Sequence, residues 1–202
     1  MIPEGTMQRN EDRLVVIGAS AGGPQALEVI LRLLESESLP VLIAQHMPEN
    51  FTRAFARRMD EVARVSVCEA GHGMVLRTGE VYIAPGGRHM RVCREAHELR
   101  ICLGDDAPVN RHKPSVDVLF NSVIEVKPRA ALAVLLTGMG NDGAQGLKDL
   151  RDSGYPTLIQ DEATSSVWGM PGAAAKLGAA RAADIRPLEA IAAAVRLFAL
   201  QK

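Results

Sequence analysis

Aromatic side chains make up only 3% of this 202-residue sequence, cysteines number three, and neither charge is in excess, with 23 Lys and Arg against 24 Asp and Glu. Near-neutrality leaves no electrostatic footprint for nucleic acid or for an anionic membrane surface, so neither is expected as a partner. No run approaches the roughly eighteen consecutive apolar residues of a membrane span, and membrane insertion is not expected. The N-terminal MIPEGTMQRNEDR lacks the apolar core of a signal peptide, and the cysteines are an odd number without paired metal-ligand spacing. The expectation is a soluble chain in a reducing cytoplasm, with Cys68, Cys93 and Cys102 as small core or strand residues that carry no chemistry.

What is present is a 47% hydrophobic chain whose 18 glycines cluster in short runs: GASAGG, GHG, PGG, TGMGNDG and GMPG. Glycine supplies positive φ and lets backbone approach a ligand closely, so such clusters beside apolar strands mark functional turns. The recurring unit is an apolar run, a turn and a helical pattern. Leu14 to Ile17 reads as a buried strand and Gln25 to Leu34 as a helix. Val41 to Ala44 is the next strand, followed by a helix capped by Asn50 and running to Met59. Ser66 to Glu69, Glu80 to Ala84, His89 to Arg94 and Glu98 to Leu103 look like hairpins inserted into, or extending, the main sheet. A loop from Gly104 to Pro114 leads to a helix capped by Ser115. The pattern then resumes with a strand at Ala131 to Leu136, a helix at Ala144 to Asp152, a strand at Thr157 to Gln160 and a terminal helix from about Pro187 to Leu200.

Strands without polar alternation, each followed by a helix, predict an α/β fold: a doubly wound, mostly parallel sheet with helices on both faces and an inserted β-hairpin region. Residues 1–12 are expected to be a loose tail and 13–202 a single domain. In such sheets ligands bind beyond the carboxyl ends of the strands, where GASAGG, QHMP and TGMGNDG all fall.

Gly18-Ala19-Ser20-Ala21-Gly22 fits G-x-S-x-G between a strand and a helix, where the turn projects the Ser20 hydroxyl and helix-start N–H groups face a developing oxyanion. The same serine could instead cap the helix or belong to an anion-binding loop. A serine nucleophile needs a base, and of His46, His72, His89, His97 and His112 only His46 directly follows a buried-type strand adjacent to the first. His89 and His97, in the charged hairpin region, are expected to be solvated; His72 lies in a Gly turn and His112 in a basic cluster. Asp142, after a strongly apolar strand, is the candidate acid for the imidazole, with a helix N-cap as its alternative role. The order Ser20, His46, Asp142 differs from that of α/β-hydrolases.

A rival reading takes Gly138-x-Gly140-x-x-Gly143 as a dinucleotide fingerprint, with Asp161 as the ribose-binding acid of an oxidoreductase. Against it, Asp142 would put a carboxylate where a pyrophosphate must sit.

The strings IGASAGGP, AQHMP with Asn-Phe-Thr-Arg following, YIAPGGRHM, PVNRHKPSVDVLF, LLTGMGNDGAQG and VWGMPGAA together resemble the catalytic domain of the bacterial chemotaxis protein-glutamate methylesterases, over about Val15 to Ala180. The resemblance implies a serine hydrolase that releases methanol from glutamyl methyl esters on cytoplasmic chemoreceptor helices and can deamidate receptor glutamines. Its catalytic serine, histidine and aspartate fall on Ser20, His46 and Asp142, and its oxyanion-hole backbone on Ala21 and Met139. It implies no cofactor and no metal. Ala21 replaces a threonine found in many relatives. The family usually places a receiver domain before the esterase, and 202 residues leave no room for one. The chain is therefore expected to be either a stand-alone esterase or a catalytic portion separated from its regulator, with a separate regulatory protein as a candidate partner. A non-catalytic receptor-binding module is the remaining alternative. Arg53, Arg57, Arg58, Arg88 and Arg91 read as solvated faces, whereas Arg111 and Lys113, in a loop bordering the cleft, are candidates for docking the acidic receptor helix.

Overall fold

The structure, a computed structural model, describes residues 12–201. All but Asp12 of the segment expected to be a loose tail lies outside them. Among the described residues nine strands and six α-helices follow one another. Strand β1 (Arg13–Ala19) leads into helix α1 (Gly23–Leu31), β2 (Val41–Gln45) into α2 (Glu49–Val62), and β3 (Ser66–Glu69) precedes β4 (Glu80–Ile83). After β5 (His89–Glu95) and β6 (Glu98–Gly104) come α3 (Val116–Val126), β7 (Ala130–Leu135), α4 (Ala144–Asp152), β8 (Thr157–Gln160) and α5 (Met170–Lys176). The short β9 (Ile185–Arg186) and α6 (Leu188–Leu200) complete the order.

Seven of the strands form one parallel sheet in the order β3-β4-β2-β1-β7-β8-β9, and β5 pairs with β6 in a separate antiparallel hairpin. This meets the expected architecture and corrects one part of it. β3 and β4 are not hairpin strands: they pair in parallel with each other, and β4 pairs with β2. Only the hairpin of β5 and β6 stands outside the sheet.

The sheet separates two apolar cores, which explains why its strands carry no polar alternation. From β1, Leu14 and Val16 point into one core and Val15, Ile17 and Ala19 into the other. The first core is closed by α3, α4, α5 and the inner face of the hairpin (Met90, Val92, Leu99 and Ile101), the second by α1, α2 and α6. Helix α2 begins at Glu49 with Pro48 as its N-cap, not at Asn50. A proline there fits because the first helical N–H groups have no intrahelical acceptor.

Two further expectations are corrected. His89, expected to be solvated, is fully buried. Cys93 and Cys102 are joined in a disulfide across the hairpin. They sit on its outer face, alternating with the buried Met90, Val92, Leu99 and Ile101. Among the described residues no helix is long and apolar enough to cross a membrane.

Candidate active site

From β1 the chain builds β2, then β3 at the edge and β4 between them, all on one side, and then returns to build β7, β8 and β9 on the other side. The carboxyl edge beside β1 is therefore the switch point of the sheet, where loops diverge and leave a crevice. Ser20 follows β1 there, His46 follows the adjacent β2, and Asp142 lies in the turn after β7. The sheet pairing that matches Ala19 with Gln45 sets Ser20 beside His46, and the His46 N–H donates to the Ala19 carbonyl at 3.0 Å.

The His46 Nε2–H donates to Asp142 Oδ2 at 2.7 Å. Asp142 is fully buried, yet its carboxylate is held down at about 2. Burial pushes the pKa up, and hydrogen bonds from His46, Asn110, the Val116 N–H and the Ser115 hydroxyl outweigh it. Asn110 Nδ2 and Ser115 Oγ reach Oδ1 at 2.8 and 2.7 Å, and the Val116 N–H reaches Oδ2 at 2.7 Å. Two of these groups belong to the N-terminal end of α3, so a helix dipole adds to the stabilisation of the negative charge. Asp142 thus does satisfy a helix N-terminus, but that of α3; the helix that follows it, α4, has Gly143 at its N-cap and no side-chain cap.

Glycines permit this approach. A Cβ on Gly18 or Gly143 would stand 2.2 or 2.5 Å from Cγ1 of Val116, so only bare backbone at both positions lets the first turn of α3 reach the Asp142 carboxylate.

An ionised carboxylate can only accept, which fixes the proton of His46 on Nε2 and leaves the lone pair on Nδ1. Nδ1 is buried and has no hydrogen-bond partner in the protein. It is the nitrogen available to take a proton. Ser20, Ala21, Gln45, His46, Met47 and Phe51 line one open groove of ≈ 680 Å³, so the serine and the histidine border the same space. Among the described residues the N–H groups of Ala21 and Met139 donate to no backbone acceptor. The Met139 side chain is 73% exposed.

The segment before α3 builds the rest. Val109 and His112 exchange backbone hydrogen bonds, with Asn110 and Arg111 both at positive φ between them. This tight turn sends the Asn110 amide inward, where Nδ2 donates to Asp117 Oδ2 at 2.6 Å as well as to Asp142. Burial pushes the Asp117 carboxyl up, the opposite of Asp142. The turn also lays the His112 ring on that of His46. Arg111 and Lys113 line a smaller recess that shares His46, Met47 and Pro48 with the groove. The Lys113 ammonium is already bound to Asp105, whose carboxyl it holds below the usual range.

Ligating atoms of His46, His112 and Asp142 lie within 4.8 Å of one another. They do not suit a cation, because an imidazole binds a metal in the plane of its ring. The two rings are parallel to within 4° and stacked 3.7 Å apart, so their planes do not converge on one ion. The dinucleotide reading fails on geometry too: Asp142 fills the glycine turn, and Asp161 Oδ1 accepts from the Thr164 N–H at 3.0 Å and its hydroxyl at 2.7 Å.

Ser20, His46 and Asp142 are thus brought to one edge, as expected. From the sequence, Gln45 and Asn110 carry no role, Ser115 reads only as a helix cap and His112 only as part of a basic cluster, although all lie within AQHMP and PVNRHKPSVDVLF.

Comparison with known proteins places these features. The profile of the family described as CheB methylesterase matches residues 15–195. A protein-glutamate methylesterase/protein-glutamine glutaminase from Xanthomonas campestris is 49% identical over 95% of this chain and 52% of its own length. One from Saccharophagus degradans is 49% identical over 93% of this chain and 53% of its own. The chain spans about half the length of the curated relatives it matches. The crystal structure of the Thermotoga maritima CheB methylesterase catalytic domain superposes with a TM-score of 0.87 at 32% identity, covering 91% of this chain and 97% of that one.

Proposed function

Because the chain belongs to the CheB methylesterase family, we propose that it hydrolyses methyl esters of glutamyl residues on cytoplasmic chemoreceptor helices, releasing methanol, and deamidates receptor glutamines. Residues 13–202 act as one catalytic domain, in the cytoplasm, where the receptor helices lie. The observation that carries this reading is the His46–Asp142 hydrogen bond of 2.7 Å at the edge where Ser20 follows β1. It gives a histidine of fixed tautomer with one free lone pair beside a serine.

The chemistry follows from those protonation states. Nδ1 of His46 takes the Ser20 proton as Oγ attacks the γ-ester carbonyl, and the Ala21 and Met139 N–H groups receive the oxyanion. The imidazolium is stabilised by the ionised Asp142, and it returns the proton to the departing methoxide. Water then attacks the glutamyl-Ser20 ester with His46 again as base. With an amide substrate the same steps release ammonia. Arg111 and, through its partly shielded ammonium, Lys113 contribute a basic border for an acidic helix. No step needs a metal or an organic cofactor.

Peptide mass analysis of methylated chemoreceptor after incubation tests the reading. Glutamyl esters should become acids with the wild-type chain and persist with Ser20→Ala. Esters that survive the wild-type chain would refute it.

A further inference from the structure

Gln45 is the last residue of β2 and is 2% exposed. Its side chain turns across the sheet edge, and the single nitrogen Nε2 donates to the Ser20 carbonyl at 2.9 Å and to the His46 carbonyl at 3.0 Å. One planar group therefore joins the main chains of the serine and the histidine. Both partners are carbonyl oxygens, which can only accept, so the amide orientation is determined by its surroundings.

That orientation leaves Oε1 buried without a donor. A stranded acceptor is unfavourable, and an apolar side chain of the same length would avoid it. The room for Oε1 has its own requirement. A Cβ on residue 23 would lie 2.0 Å from Oε1 and 3.0 Å from Cδ of Gln45. Position 23 opens α1, where alanine is the better helix former. A buried polar group with an unsatisfied oxygen and a helix-weakening glycine thus meet at one place. What they have in common is the donation by Nε2 to Ser20 and His46.

Those two bonds complete a frame. The Ser20 N–H donates to the Thr137 carbonyl at 3.0 Å, and the Ser20 carbonyl also accepts from the Gly23 N–H at 2.8 Å. His46 is fixed at its N–H by Ala19 and at its carbonyl by Gln45. Without Gln45 no donor would tie the His46 carbonyl to the turn that carries Ser20. We propose that Gln45 is a positioning residue for ester hydrolysis: it sets the Ser20 main chain against that of His46, and Gly23 is the space that lets it do so.

The inference rests on Ser20 as the nucleophile, so its test uses a probe that reports on that serine independently of any receptor. An alkyl fluorophosphonate reacts through a bond from Ser20 Oγ to phosphorus as fluoride leaves, with the hydroxyl proton passing to His46. Labelling at rising reagent concentration separates the maximal rate from the affinity for the reagent. Gln45→Met keeps the length of the side chain and removes both donors. It should label about ten- to a hundredfold more slowly at saturation, the size of effect expected when reacting groups shift by about an ångström. Affinity for the reagent should stay within about twofold, because Gln45 is 2% exposed and gives the groove almost no surface.

Gln45→Glu keeps the shape but turns oxygen toward both carbonyls, and should be at least as slow. Gly23→Ala keeps the amide and displaces it, and should also slow labelling. Circular dichroism establishes that each variant is folded at the assay temperature, and if Gln45→Met does not fold, the other two carry the test. Wild-type maximal rates in the folded variants would overturn the proposal and leave Gln45 a space-filling residue. If the wild-type chain itself is not labelled at Ser20, the reading of the site falls, and this proposal with it.

Discussion

The imidazole of His112 lies flat on that of His46, with centroids 3.7 Å apart and planes within 4°. Burial, then the neighbouring His46, push the His112 pKa down, with Asp142 opposing them. The stacked ring backs the His46 imidazole beside Asp142, and the downward shift disfavours a second positive charge there. Aromatic stacking is worth about 0.5–1.5 kcal/mol beyond burial, which bounds the effect at about tenfold in rate. His112→Ala should therefore lower kcat for methanol release by up to about tenfold with less effect on KM, and His112→Phe should recover part of it. Equal kcat in wild type and His112→Ala would show that the stack has no role.

Asp142→Asn keeps the shape but offers an amide to Nε2, which favours the wrong imidazole tautomer. A loss of about 10³–10⁴ in kcat is expected. The same substitution changes the acid stability. Asp142 is held at about 2 in the folded chain, below the unfolded value of 3.8. Its contribution is therefore present above pH 4 and lost as the pH falls toward 2, and amounts to about 2 kcal/mol. Urea unfolding at pH 5 and pH 3 should show a smaller drop in Asp142→Asn than in wild type. Asp117, pushed up by burial and further by the Asp142 charge, contributes in the opposite sense; the variant loses the part that Asp142 supplies, so the difference between the two proteins reports the coupled pair.

Thiol titration reads the hairpin. With Cys93 and Cys102 bonded, denatured protein that has not been reduced should yield a single thiol, Cys68, and three after reduction. In the folded protein Cys68 should react slowly, because burial, then Glu80 and Asp60, push its thiol up. Reduction should cost about 2–3 kcal/mol of stability for a bridge spanning nine residues. It should leave kcat unchanged, since the bridge faces away from α3 and the site. Three thiols without reduction would contradict the pairing, and a reducing cytoplasm would keep it open.

Charge reversal on the border separates docking from chemistry. Arg111→Glu should raise KM and weaken its dependence on ionic strength while sparing kcat. Lys113→Glu should do so less, because its ammonium is engaged by Asp105. KM values that respond to salt identically in wild type and Arg111→Glu would remove the docking role.

Ser20, His46 and Asp142 were legible because each follows an apolar strand, and a parallel sheet sends all such turns to one edge. The pairing of β3 and β4 was not: the match of Val81 with Val41 is a long-range contact that four-residue runs do not announce. His89 was misjudged from its charged neighbours Arg88 and Arg91. In the fold its Nδ1 accepts from the Ser115 N–H at 3.2 Å and its Nε2–H donates to the Ala107 carbonyl at 3.0 Å, so a buried imidazole braces the loop that enters α3. Helix α5 was hidden by a start at Met-Pro-Gly. The groups that tune Asp142 come from Asn110, Ser115 and Val116, and their convergence depends on how α3 meets β1, which no local pattern encodes.

The most direct test of the account is the rate of methanol release from methylated chemoreceptor membranes by wild type and by Ser20→Ala at equal concentration. The account predicts steady release by wild type and a loss of at least about 10³-fold in the variant. Release by Ser20→Ala at the wild-type rate would contradict it, because the ester would then be cleaved without the serine that His46 and Asp142 are arranged to serve.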